Sequence, residues 1–118
     1  MKNKEKQIQL RDVSDVLDII GGRWRAAILA SLCDEKKRFN ELKRDLGNIT
    51  PRVLAKELKY LEMNLLVKRG EHGSNAASFV YSLTEHGETL EPLIGHIVTW
   101  AQKHRKLVLE YLSESKDA

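Results

Sequence analysis

Residues Thr50 to Leu65 read TPRVLAKELKYLEMNL. At roughly 100° per residue, helical geometry collects Leu54, Leu58, Leu61 and Leu65 on one narrow stripe. Arg52, Lys56, Lys59 and Met63 collect on the opposite side. Thr50 suits an N-cap, and Pro51 fits the first helical position, where no amide hydrogen is needed. A short helix packed on one side and basic on the other is what reading a major groove requires. A solvated surface helix carries the same residue types, so this helix alone leaves both readings open.

Its neighbours narrow the choice. Upstream, Arg38-Phe39-Asn40-Glu41-Leu42-Lys43-Arg44-Asp45-Leu46 is a second short amphipathic pattern, with Phe39, Leu42 and Leu46 at helical spacing. Gly47-Asn48-Ile49 joins the two, supplying a residue tolerant of positive φ and an apolar plug for the corner. Two short helices on such a turn make a helix-turn-helix over 38–64. Downstream, Leu66-Val67-Lys68-Arg69 and Ser78-Phe79-Val80-Tyr81-Ser82-Leu83 read as strands around His72-Gly73-Ser74-Asn75, a hairpin over 66–83. Helix-turn-helix followed at once by a hairpin is the winged-helix order, far more specific than a basic helix alone. The fold expected is mainly α with a small β-hairpin wing.

With these motifs the chain resembles the HxlR family, a branch of the MarR-like winged-helix transcription regulators. The residues that carry the resemblance are Asp18-Ile19-Ile20-Gly21-Gly22-Arg23-Trp24, then Lys37-Arg38-Phe39-Asn40-Glu41-Leu42-Lys43-Arg44. They continue through Ile49-Thr50-Pro51-Arg52-Val53-Leu54, Leu58-Lys59-Tyr60-Leu61-Glu62 and Tyr81-Ser82-Leu83-Thr84-Glu85-His86-Gly87, covering about Asp12 to about Ala101. The resemblance implies a small bacterial homodimer binding palindromic or near-palindromic duplex operators. It also implies a small-molecule effector, held between the dimer helix and the DNA-binding core, that no residue here identifies. Sensing members carry a Cys about ten residues before the Gly-Gly pair; Arg11 stands there in this chain. The family wing usually reads Pro-Pro-Arg before its second strand, where this chain has Ala76-Ala77-Ser78.

Length and charge fit this picture. A chain of 118 residues is ordinary for one domain. The formal net charge of +3 decides little by itself. From Lys36 to Arg69, however, ten basic residues face four acidic ones, so this segment carries +6 and the remainder is net acidic. Charge gathered on the proposed binding segment is the electrostatic footprint of a nucleic-acid binder. In that reading Thr50, Pro51, Arg52, Lys56 and Lys59 form the recognition-helix site. Lys37, Arg38, Lys43, Arg44, Lys68 and Arg69 hold the DNA backbone.

The ends of the chain are expected to make the dimer. Residues 1–10 read as a flexible arm, and the domain as 11–118. Val13, Val16, Leu17 and Ile20 mark a helix over 12–20, ended by Gly21-Gly22. Trp24, Ala27, Ile28 and Leu32 support a second helix over 23–33, with Trp24 in the core. After Thr84, a suitable N-cap, an apolar stripe with Leu93, Ile97, Trp100, Ala101, His104 and Val108 runs over 85–113, wider than one small domain needs. Pro92 inside it marks a kink or a break. With Val13 and Leu17 these residues are the expected two-fold interface. A helix lying wholly on its own domain is the alternative.

Other chemistries find little support. Cys33 is the single cysteine, so no intrachain disulfide forms; at the end of an apolar helix it reads as a small hydrophobe before it reads as a redox site. His96 and His104 have no companion at ligand spacing, so neither a metal nor a cofactor is expected. No nucleotide-binding glycine signature or nucleophile elbow occurs, and no enzyme is expected. The polar first residues are not a secretory signal, and no apolar run approaches the roughly 20 residues that span a bilayer. A cytoplasmic protein, at the nucleoid when DNA-bound, is expected. The competing reading keeps the fold but makes it a protein-interaction module, a use open to winged helices because fold does not fix function.

Overall fold

The computed structural model describes residues 3–70 and 79–117. The turn expected at His72-Gly73-Ser74-Asn75, and Ala76-Ala77-Ser78 after it, lie outside the described residues. The chain divides into two compact units, 1–88 and 89–118.

In the first unit, α1 spans Asn3–Ile20. The helix expected over 12–20 therefore starts earlier and takes in the segment read as an arm. Nothing between Asn3 and Ile20 breaks a helix, since the first glycines are Gly21 and Gly22. Helix α2 spans Arg25–Asp34 and buries Ile28, Leu29 and Leu32. Trp24 is half-buried at its start, with the Arg23 guanidinium 4.7 Å from the ring centroid, not the core residue expected. Ala27 is exposed.

Strand β1 (Lys37–Arg38) leads directly into α3 (Phe39–Leu46), so Arg38 is extended rather than helical. Its backbone N–H is accepted by Glu41 Oε1 at 3.0 Å, closing the first turn of α3. Gly47 ends that helix at φ 81°, where a side chain would be strained, and its N–H donates to the Lys43 carbonyl at 3.1 Å. Ile49, 2% exposed, plugs the corner.

Helix α4 spans Pro51–Met63. Thr50 caps it: its Oγ1 accepts the Val53 N–H at 3.2 Å. Leu54, Leu58 and Leu61 are buried, as their spacing predicts. Leu65 is not: it is 70% exposed, beyond the helix end. The reason is a C-terminal cap of the Schellman type. Leu66 N–H donates to the Leu61 carbonyl and Leu65 N–H to that of Glu62, both at 3.0 Å. This geometry puts Leu65 at φ 63° and turns the chain, so that Leu66 takes the buried place, at 3% exposure.

Strands β2 (Val67–Gly70) and β3 (Val80–Leu83) pair antiparallel, Val67 opposite Leu83 and Gly70 opposite Val80. β1 pairs on the other side of β3, Lys37 opposite Tyr81, giving the order β1-β3-β2. The expected hairpin is thus the larger part of a three-stranded sheet. Thr84 caps only the short α5 (Glu85–Glu88), accepting the Gly87 N–H at 2.8 Å and donating to the Leu65 carbonyl at 2.6 Å. Gly87 sits where a Cβ would meet the Leu66 carbonyl oxygen at 2.1 Å, an approach open only to glycine.

The second unit is the helix α6, Glu91–Asp117. The single helix expected over 85–113 is therefore two, α5 and α6. Pro92 lies in the first turn of α6, where its missing N–H is no loss, so it marks a break and not a kink. On α6 the Trp100 and His104 rings stack, centroids 4.8 Å apart.

Candidate nucleic-acid interface

The surface of α4 is sorted by charge. With Leu54, Leu58 and Leu61 packed inward, Arg52, Lys56 and Lys59 all face solvent. Among the described residues none of these three is held in an ion pair. Thr50 and Pro51 are exposed at the helix start, where the positive end of the helix dipole favours an anion. Three exposed cations and a positive helix end on one face form a surface for a polyanion.

The surrounding basic residues behave differently from one another. Arg38, Arg44 and Lys68 are exposed, and Lys43 is half-buried. Arg69 is engaged: its Nε lies 3.8 Å from Glu62 Oε1, and its guanidinium lies 4.4 Å from the Phe79 ring centroid. It thereby ties the end of α4 to the sheet while remaining partly open to solvent. Glu62 Oε1 is buried without a hydrogen bond among the described residues, which makes that ion pair its main compensation. Burial also raises the Tyr81 phenol above its ordinary pKa, with the Glu62 charge adding to the effect.

Lys37 has a structural employment. Its side chain is 12% exposed, and the ammonium donates to Asp45 Oδ2 at 2.5 Å and to Ser31 Oγ at 3.0 Å. Ser31 in turn donates to the same Asp45 oxygen at 2.8 Å. The network pins β1 to α2 and α3, so the charge of Lys37 is satisfied by a close partner inside the fold. The hydrogen bond to Asp45 raises the Lys37 pKa above 10.5, and the Lys37 hydrogen bond, then that of Ser31, lowers Asp45 below 3.8.

The sign of the linkage follows. The Asp45 contribution is present above its unfolded pKa and is lost as pH falls through its lower folded value. The Lys37 contribution is present below its unfolded pKa and is lost as pH rises through its higher folded value. Asp45→Asn is therefore expected to lower the melting temperature at neutral pH and to flatten its fall below pH 3.8. Melting curves of both proteins across the acid range check this; parallel acid limbs would show that the pair contributes nothing.

A groove of about 540 Å³ runs between the start of α3, α4 and the strands, lined among others by Phe39, Asn40, Ala55, Lys59, Arg69 and Tyr81. Asn40 is named by the sequence only within the helix pattern and the family motif, without a role in binding. Cys33 is half-buried near the end of α2. Val13 and Leu17 on α1 are 57% and 58% exposed. On α6, Leu93, Ile97, Trp100 and Val108 are 39–67% exposed, His104 is exposed and Ala101 half-buried. No helix among the described residues is long and apolar enough to cross a membrane.

Comparison with known proteins bears on this surface. The HxlR-like helix-turn-helix profile matches residues 19–108. The uncharacterised HTH-type transcriptional regulator YdeP of Bacillus subtilis (strain 168) is 39% identical over 107 residues, 89% of this chain and 84% of that protein. Among solved structures, the redox regulator HypR in its reduced form superimposes with a TM-score of 0.78 at 37% identity. The match covers 85% of this chain and 99% of that one. Quinone-bound YodB from B. subtilis superimposes with a TM-score of 0.67 at 30% identity, over 79% of this chain and 98% of that one.

Proposed function

Because the chain belongs to the HxlR-like helix-turn-helix family, and is with it a DNA-binding transcription regulator, we propose that it reads a near-palindromic duplex operator as a homodimer through α4. The observation that carries this reading is the sorting of α4, three buried leucines against three exposed cations with no ion-pair partner among the described residues. Arg52, Lys56 and Lys59 enter the major groove, where Arg and Lys donate to guanine edges. Thr50 and Pro51 bring the helix start to a phosphate. Arg38, Lys43, Arg44 and Lys68 hold phosphates and set orientation, with Arg69 contributing from its exposed side. Lys37 is left out, since Asp45 already holds its ammonium.

The dimer uses the apolar faces of α1 and of α6, each exposed in the single chain. Isolated exposed apolar residues need no explanation, but rows such as Ile97, Trp100 and Val108 along one helix do. Two copies then place two α4 helices about 34 Å apart, one turn of duplex. A small-molecule effector belongs to the same reading. Its support is that quinone-bound YodB is a structural relative.

Titration with duplex from the gene's own upstream region, against random duplex as competitor, tests the reading at two salt concentrations. Competitor-resistant binding that weakens as salt rises is expected. Equal, salt-erased binding to both duplexes would instead support the protein-interaction module, which the regulator relatives do not favour.

A further inference from the structure

Arg25, the first residue of α2, lies outside the proposed DNA-binding set, yet its guanidinium is the most heavily engaged among the described residues. Nε donates to Glu57 Oε2 at 2.7 Å, and Nη1 donates to the Asp18 backbone carbonyl at 2.6 Å. The guanidinium also lies over the Tyr60 ring, 3.6 Å from its centroid. The Tyr60 hydroxyl donates to the same Asp18 carbonyl at 3.2 Å. Asp18 belongs to the last turn of α1, where carbonyls lack a donor from their own helix. Glu57 and Tyr60 lie on the flank of α4 between its buried leucines and its basic face.

We propose that Arg25 is a positioning residue. With Glu57 and Tyr60 it clamps the end of α1 to the flank of α4, so the helix offered to a partner copy and the helix offered to DNA move as one body. The inference rests on the dimeric DNA reading above and adds what fixes the setting of its two recognition helices. Three features separate the clamp from an ordinary surface ion pair. The paired side chains of Arg25 and Glu57 are only 25% and 15% exposed. The contact needs the planar fork and the stacking face of Arg, which Lys lacks. Finally, the bonds join three helices, and two of them converge on one carbonyl oxygen. In a dimer, rotation of α4 relative to α1 would change the distance between the two α4 helices, and hence the half-site spacing that fits.

The test uses the full chain and a duplex that the wild type selects from a randomised library. Affinity is compared on that duplex and on versions with one or two base pairs inserted between the half-sites. Arg25→Met should shrink the wild-type spacing preference roughly tenfold, a size usual for coupling between sites. Tyr60→Phe, which keeps the ring and removes one bond, and Glu57→Gln, which keeps the shape, should shrink it by about threefold each. These two milder variants serve if Arg25→Met does not fold. Salt dependence should be unchanged. Lower melting temperatures with an intact spacing preference would reduce Arg25 to a stabilising role and overturn the clamp. A salt slope shallower by about one would make Arg25 a phosphate contact and overturn it too. Wild type that selects no duplex would remove the DNA reading itself, whereas a selected duplex with unchanged preferences removes the clamp alone.

Discussion

The double variant Arg52→Ala, Lys56→Ala is expected to bind the operator roughly a hundredfold more weakly than wild type, from about 1–3 kcal/mol per base-reading side chain. Its melting temperature should stay the same or rise slightly. Both side chains are exposed and unpaired among the described residues, and Ala is at least as good a helix former as either. The loss therefore falls on binding and not on folding. The two residues can also be told apart. A side chain that reads a base edge relaxes selectivity at one base pair in each half-site when removed. One that holds a phosphate weakens all sequences alike and reduces the salt slope by about one. Fluorescence anisotropy on an operator library at several salt concentrations separates these outcomes. Near-wild-type affinity of the double variant would remove α4 from the interface.

That prediction depends on a helix whose beginning was readable and whose end was not. Thr50 and Pro51 announce the start by residue chemistry alone, and both do what their chemistry requires. The three buried leucines follow from spacing. The stop after Met63 carries no such mark, because the capping motif there puts Leu65, not Gly, in the left-handed region. A leucine at that spacing looks like one more turn of the stripe. Strand β1 was hidden for another reason. Lys37–Arg38 is too short to show alternation, and its conformation is set by its pairing with β3, some forty residues later. At the other end, Pro92 left a kink and a break equally open, and only the helix start at Glu91 decides for the break.

The same limit separates the basic residues. Arg52, Lys56 and Lys37 are alike in a sequence, and only the fold brings Asp45 and Ser31 to one of them. Nothing around Arg25 in the sequence marks it, because its partners come from α1 and α4. Charge density marks a segment of the chain. Which charges are available to a partner is a property of packing.

A charge placed on either proposed dimer face should have the larger effect of all, since it removes the second half-site at once. Leu17→Asp on α1 and Ile97→Asp on α6 are each expected to convert the protein to a folded monomer. In the single chain these side chains are 58% and 41% exposed, so the monomer fold tolerates the aspartate. In a dimer it would be buried without a partner, which costs several kcal/mol. A monomer engages one half-site, and losing the linked second contact removes roughly 10²–10⁴ of operator affinity. Leu65→Asp is the control. Leu65 is exposed by 70% but lies on neither face, and Asp tolerates the left-handed backbone there better than Leu. Light scattering of the three variants and anisotropy on the operator check the pattern. If Leu17→Asp and Ile97→Asp stay dimeric while Leu65→Asp does not, the interface runs along the wing side of the fold. The exposed rows on α1 and α6 would then need another partner.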